Sequence, residues 1–319
     1  MKSAFITGID GQDGSFLAEL LLGKGYEVHG LIRRGVNPMV NIEHLIGTAV
    51  RLHYGDMATE NHLTLLVGDV KPDEIYNLAG QSDVAVSFEI PEYTGDVTGL
   101  GVTRLLEAVR RVSPSSRLYQ ASSSEMFGES SPPQSELTPF RARSPYGAAK
   151  IYAHNMVRCY REAHGLFACC GILFNHESER RGLNFVTRKI SNAVARISLG
   201  LQDKVELGNM DARRDWGYSP DYVRAMWMML QQDTPEDYVV GTGESHSVQD
   251  FVECAFAYEG LDWRKYVVVN EAYMRPADVS CLLADSTKAN NELGWMPRVQ
   301  FEELVRIMVD HDMELNREG

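Results

Sequence analysis

Ser3-Ala4-Phe5-Ile6-Thr7-Gly8-Ile9-Asp10-Gly11-Gln12-Asp13-Gly14-Ser15-Phe16-Leu17 is the stretch that decides the fold. Residues 3–7 form a short apolar run that reads as a strand and 8–14 read as a turn. Residues 15–22 read as a helix with Phe16, Leu17, Leu20 and Leu21 on its apolar face. Gly8, Gly11 and Gly14 therefore make a GxxGxxG between strand and helix. There the backbone of Gly8, Ile9, Asp10, Gly11, Gln12, Asp13 and Gly14 can approach a pyrophosphate at the helix N-terminus. The context is what makes the triplet informative, since glycines alone mark any tight turn.

Beyond this turn, residues 26–32 form a second strand that ends in Arg33-Arg34. An NAD-binding unit usually places an acid at this point for the ribose hydroxyls; two arginines suit a 2′-phosphate and predict NADP. Asp56-Met57 follows the third apolar run, placed to meet an adenine, and Leu78-Ala79-Gly80-Gln81-Ser82 ends the fourth strand beside the cofactor. Further apolar runs at 74–79, 117–121 and 167–174 alternate with helical stretches at 102–112 and 146–164, which predicts an α/β fold with a Rossmann-like, doubly wound parallel sheet. After Phe174 the pattern changes to loops rich in Gly, Asn, Arg and Asp, with helices at 185–199, 221–231, 248–258 and 301–314. We read residues 1–173 as a cofactor-binding domain to which segments near 215–242 and 281–290 return, and 174–319 mainly as a smaller, discontinuous substrate lobe.

At 319 residues, with 44% hydrophobic and 24% charged, the chain has ordinary globular composition and length enough for two lobes. Its net charge of -13 argues against nucleic-acid binding and requires a locally basic pocket for any anionic small ligand. No long apolar run suggests a signal peptide or membrane span. Cys159, Cys169, Cys170, Cys254 and Cys281 show neither CxxC nor metal-finger spacing, so we expect structural thiols, no metal and a reducing cytoplasm.

Tyr146 and Lys150 lie four apart on a helix that Ser144-Pro145 can start, which puts both on one face. An ammonium near a phenol favours the phenolate and predicts a lowered tyrosine pKa, useful for taking a hydroxyl proton. Ser122-Ser123-Ser124-Glu125 follows a strand end, which brings a hydroxyl and a carboxylate to the same crevice. In isolation such a run is a loop and Glu125 a solvated charge. Arg180, Arg181, Arg188, Lys189, Arg213, Arg214 and Arg275 concentrate positive charge after Phe174, suited to a diphosphate; interspersed acids leave a salt-bridged surface as the alternative.

Together these strings resemble the extended short-chain dehydrogenase/reductase superfamily and, more closely and over nearly the whole chain, the GDP-mannose 4,6-dehydratase family. The resemblance is carried by 7–15, Ser123-Ser124-Glu125-Met126-Phe127-Gly128, Ser144-Pro145-Tyr146-Gly147-Ala148-Ala149-Lys150, Phe174-Asn175-His176-Glu177-Ser178 and Arg213-Arg214-Asp215-Trp216-Gly217, with 185–189 and Arg275-Pro276 extending it. It implies a redox-neutral reaction of GDP-mannose within GDP-deoxysugar biosynthesis. NADP takes the hydride from C4, water leaves across C5 and C6, and the hydride returns to C6, giving GDP-4-keto-6-deoxymannose. By the same resemblance Tyr146 removes the O4 proton, Lys150 holds the ribose and tunes Tyr146, and Ser123 hydrogen-bonds O4. Glu125 moves the C5 proton and protonates the departing C6 hydroxyl. Tyr93, His176 and Arg181 match cofactor-side positions, and Ser82, Asn175, Val186, Lys189, Arg213 and Arg275 match GDP-sugar contacts.

The chain departs from that pattern in places. Ser123 stands for a usual Thr, Glu179 for Pro, Leu183 for Glu and Asp278 for Glu. The segment 34–52 is shorter than usual, which leaves both a homodimer, through helices 100–112 and 146–164, and a homotetramer open. Two other readings compete: an NADPH-dependent reductase or epimerase of a GDP-sugar, in which Glu125 only hydrogen-bonds, and a dehydratase of GDP-manno-heptose. A non-catalytic NADP sensor has no use for Ser123, Glu125, Tyr146 and Lys150 together.

Overall fold

The computed structural model describes residues 1–34, 39–274 and 277–318. Six strands arise in the first 173 residues: β1 (Ser3–Thr7), β2 (Glu27–Ile32), β3 (Val50–Tyr54), β4 (Glu74–Asn77), β5 (Arg117–Ser123) and β6 (Ala168–Leu173). Outside their sheet lie β7 (Asn175–Glu177), β8 (Val205–Leu207), β9 (Arg213–Arg214) and β10 (Trp216–Tyr218). The late strand β11 (Tyr238–Val240) rejoins the sheet beside β6, and β12 (His246–Ser247) and β13 (Val267–Val269) pair with β9 and β8. The seven-stranded sheet is parallel throughout, in the order β11-β6-β5-β4-β1-β2-β3. The chain thus winds outward in both directions from β1, and a crevice opens at the carboxyl ends of β1 and β4. The expected doubly wound α/β fold is present.

The helices are α1 (Gln12–Gly23), α2 (Glu60–Val70), α3 (Val84–Glu89), α4 (Pro91–Thr94), α5 (Gly101–Val112), α6 (Pro145–His164), α7 (Val186–Ser198), α8 (Ser219–Met229), α9 (Val248–Tyr258) and α10 (Phe301–Glu318). Alternation along the strands divides the core in two. Ala4, Ile6, Tyr76 and Tyr119 face α1 and α8, whereas Phe5, Ile75 and Leu118 face α2, α5 and α6. A third cluster joins α7, α9 and α10 through Ile190, Val194, Phe251, Val252, Leu304 and Met308, which are buried at helical spacing.

α1 starts at Gln12, three residues before the start expected from its sequence at Ser15. Gly11 is its extended N-cap, so Gly14 belongs to the helix's first turn rather than to the loop. α6 begins as expected: the Ser144 Oγ accepts from the Gly147 N–H at 3.0 Å and Pro145 occupies the first turn.

Candidate active site

A cleft of about 610 Å³ runs from the β1–α1 turn to β8 and α9, within the usual size of a small-molecule site. Gly8 sits at φ +69°, and a Cβ there would lie 3.1 Å from the Ala79 backbone. At Gly14 a Cβ would fall 2.2 Å from the Gly8 carbonyl oxygen, so the turn closes only around a hydrogen. Gly11 donates to Gly8 O at 3.1 Å, and no side chain caps the first turn of α1. Its open amides, with Asp10, Gln12 and Asp13 on the cleft wall, fit a diphosphate. Ile9 alone of the turn's expected residues turns inward, packing on Gly30.

The other cofactor-side expectations sort by geometry. Arg33 lines the cleft and donates to the Tyr93 hydroxyl; Arg34 is exposed and does not line it. Asp56, Met57, Leu78, Ala79, Gly80, Gln81, Ser82 and Tyr93 all line it. A row of hydrogen bonds, unforeseen in the sequence, fixes these strand ends. Thr7 Oγ1 donates to Asn77 Oδ1 at 2.6 Å and accepts from the Leu78 and Ala79 amides, while Asn77 Nδ2 donates to Gln120 Oε1 at 2.6 Å. Gln120 Nε2 and Lys150 Nζ both end the row on the Ala121 carbonyl.

His176 faces an acceptor with each ring nitrogen: Nδ1 donates to Phe174 O at 2.7 Å and Nε2 to Asp13 Oδ2 at 2.7 Å. Two donated bonds require both protons, so the ring is an imidazolium, stacked 4.6 Å from Tyr222. Burial raises the Asp13 carboxyl, but the His176 charge and bonds from His176, Ser219 and Gln12 outweigh it and hold it down at about 2. Burial lowers His176, and Asp13 more than reverses this. The pair neutralises a carboxylate that would otherwise stand beside the diphosphate position.

Ser123, at the end of β5, accepts from the Glu125 N–H at 3.2 Å and lines the cleft beside Tyr146. Glu125 follows on a single helical turn, buried against the cleft. A Cβ at residue 147 would lie 2.8 Å from Glu125 O, so Gly147 is what lets α6 bring Tyr146 this close. The expected lowering of Tyr146 is not found. Burial pushes its phenol up to about 12; the Ser123 hydroxyl draws it down, the Glu125 charge adds to the rise, and the Arg181 charge opposes it. Lys150 Nζ points to Ala121 O at 2.7 Å, 5.7 Å from the Tyr146 ring centre, and burial pushes it down to about 8.

On the far side, Asn175, Val186 and Lys189 line the cleft. Asn175 Oδ1 is buried without a hydrogen-bond partner among the described residues, an acceptor left for a ligand. Lys189 Nζ stands 3.6 Å from the Tyr273 ring centre. Arg181 lines the cleft with its guanidinium 3.6 Å over Phe185. Arg213 does not reach it: the side chain runs outward to Ser245 and Asp250. Adjacent strand residues point to opposite faces, and Arg214 lines the cleft instead, paired with Asp278 at 3.1 Å. The signal for this lay in the sequence, because Ala212 and Trp216, of the same parity as Arg214, are apolar and buried. Arg275 falls outside the described residues. Among the described residues no cluster of three or more acids, histidines or cysteines could hold a metal, and no helix is long and apolar enough to cross a membrane.

Comparison with known proteins agrees with this geometry. Residues 5–308 match the family model for GDP-mannose 4,6 dehydratase. GDP-mannose 4,6 dehydratase 2 of Arabidopsis thaliana is 56% identical over 98% of this chain and 87% of its own length, and GDP-mannose 4,6 dehydratase of Homo sapiens is 52% identical over 98% and 92%. Among solved structures, UDP-glucose 4-epimerase of Thermus thermophilus in complex with NAD superposes with a TM-score of 0.86 at 26% identity, covering 97% of this chain and 98% of that one. The chain belongs to the GDP-mannose 4,6-dehydratase family.

Proposed function

We propose that the protein dehydrates GDP-mannose to GDP-4-keto-6-deoxymannose with NADP as a recycled cofactor. Family membership supports the reaction, and the observation that carries its chemistry is Glu125 in the same cleft as the Ser123–Tyr146 pair. A reductase or epimerase has no elimination step for that carboxylate. The glycine cradle and open α1 amides fit the pyrophosphate, and Arg33 at the end of β2 fits a 2′-phosphate. Lys150, His176 and Arg181 complete the cofactor side. Asn175, Val186, Lys189 and Arg214 hold the GDP-sugar, with Ser82 at the sugar.

A bound nicotinamide supplies a reversible store for one hydride between C4 and C6. The chain's residues do the rest. Ser123 hydrogen-bonds O4, and Tyr146 takes its proton as the C4–H bond gives up its hydride, which together leave a C4 ketone. The ketone acidifies the C5 proton, which Glu125 removes and passes to the C6 hydroxyl, so that water departs; as the hydride returns to C6, C5 takes up a proton in place of the one that left O4, and the 4-keto-6-deoxy sugar is complete. We place the enzyme in the cytoplasm, where its five free thiols stay reduced, and read it as a homodimer or homotetramer using α5 and α6.

Purified protein incubated with GDP-mannose and no reductant tests the reading. Loss of one water by mass spectrometry, with the cofactor pool unchanged, is expected. Turnover only with NADPH and a 4-keto sugar nucleotide would favour the reductase.

A further inference from the structure

Arg188, in the first turn of α7, belongs to the basic group that the sequence associates with a diphosphate. Its guanidinium is instead buried outside the cleft lining. Nε donates to both carboxylate oxygens of Asp312 on α10, at 2.8 and 2.9 Å, and Nη2 lies 2.6 Å from Asp312 Oδ1. Nη1 donates to the carbonyl oxygens of Glu179 and Arg181, the latter at 3.1 Å. Asp312, fully buried, also accepts from Ser191 Oγ at 2.6 Å.

Burying two charges is a poor way to join helices, since desolvation offsets much of their attraction. α7 and α10 already share an apolar seam through Ile190, Val194, Leu304 and Met308. What the pair adds is directional: a fixed donor aimed at two carbonyls of the irregular loop between β7 and α7. That loop carries Arg181 into the cleft, with Nε 3.1 Å from Glu177 and the guanidinium over Phe185.

We propose that Arg188, oriented by Asp312, is a positioning residue that fixes the Arg181 backbone and so aims the Arg181 guanidinium into the cleft on its cofactor side. The proposal rests on the reading of Arg181 as a cofactor-side cation. Its charge is one of the groups that draw the Tyr146 phenol down, so displacing it also moves the basic group's titration.

NADPH titration by fluorescence and a pH–rate profile test this in four variants: Arg181→Met, Asp312→Asn, Arg181→Met with Asp312→Asn, and Ser191→Ala. Arg181→Met is expected to weaken NADPH about tenfold or more, and Asp312→Asn about fivefold, with circular dichroism unchanged. Asp312→Asn added to Arg181→Met should cost nothing further, and both single variants should shift the ascending limb of the profile to higher pH. Ser191→Ala, which removes one bond to Asp312, should move the same readouts by about twofold and covers the case in which Asp312→Asn fails to fold. A folded Asp312→Asn, or otherwise Ser191→Ala, with wild-type affinity and profile would overturn the positioning role. So would an equal further loss in the Arg181→Met background, which marks a merely structural pair. Wild-type binding by Arg181→Met would overturn the reading of Arg181 itself, and the proposal with it.

Discussion

The turn after β1 and the stretch around β9 both deliver groups to the same cleft, yet one is built from local sterics and the other from remote partners. In the turn, Gly8 is dictated by its own positive φ, with the Ala79 backbone also close, and Gly14 by a carbonyl six residues back where a Cβ would sit. Around β9, the side on which an arginine emerges depends on Asp278 and Ser245, 64 and 32 residues further on. The first kind of site is legible in its own residues; in the second, strand parity hints at which arginine faces the cleft, but its partners emerge only in three dimensions.

The largest effect that can test this contrast is chemical. Glu125→Gln should keep cofactor binding and lose about 10²- to 10⁴-fold in dehydration rate, as expected for a general acid/base group; undiminished turnover would remove Glu125 from the mechanism. Next comes the steric claim. Gly14→Ala should destabilise by about 1–3 kcal/mol and weaken NADPH, because the added methyl meets backbone that cannot yield. Gly23→Ala, in open space at the end of the same helix, should instead stabilise by about 0.5 kcal/mol. Equal thermal midpoints for the two would break the argument from close approach.

The fold is legible because each apolar run of the first half keeps one period, and the glycine turn fixes where strand gives way to helix. Tyr146, Lys150, Ser123 and Glu125 are legible because helical spacing and a strand end are local facts. The tyrosine's poise is not. Spacing places Lys150 on the right face, but its ammonium goes to the Ala121 carbonyl at the end of a row from Thr7 through Asn77 and Gln120, and no pattern reveals such a chain. Arg213 and Arg214 both read as basic, and only strand parity separates them.

That separation is open to measurement. Arg214→Lys keeps the charge but loses the planar fork, and should raise the KM for the GDP-sugar about tenfold, while Arg213→Lys leaves it unchanged. The same holds for Arg33, which lines the cleft, against Arg34, which does not: Arg33→Ala should weaken NADP far more than NAD, and Arg34→Ala should have the smaller effect in a paired cofactor titration.

The smallest effect expected is on stability against pH. Asp13 is held below its ordinary 3.8, so its contribution is whole above that value and fades as pH falls through about 2. His176 is raised above its ordinary 6.5, so its contribution is whole below 6.5 and fades as pH rises through the raised value. His176→Gln should therefore lower the thermal midpoint most between about pH 4 and 6.5, by stranding a buried carboxylate. Asp13→Asn in the same chain should recover part of the loss.

An intramolecular, redox-neutral elimination is tested most directly with GDP-mannose deuterated at C4. With no added reductant, the product should carry the deuterium at C6 while the cofactor's redox state stays constant. Deuterium accumulating in the cofactor pool, or a product without it at C6, would contradict that mechanism.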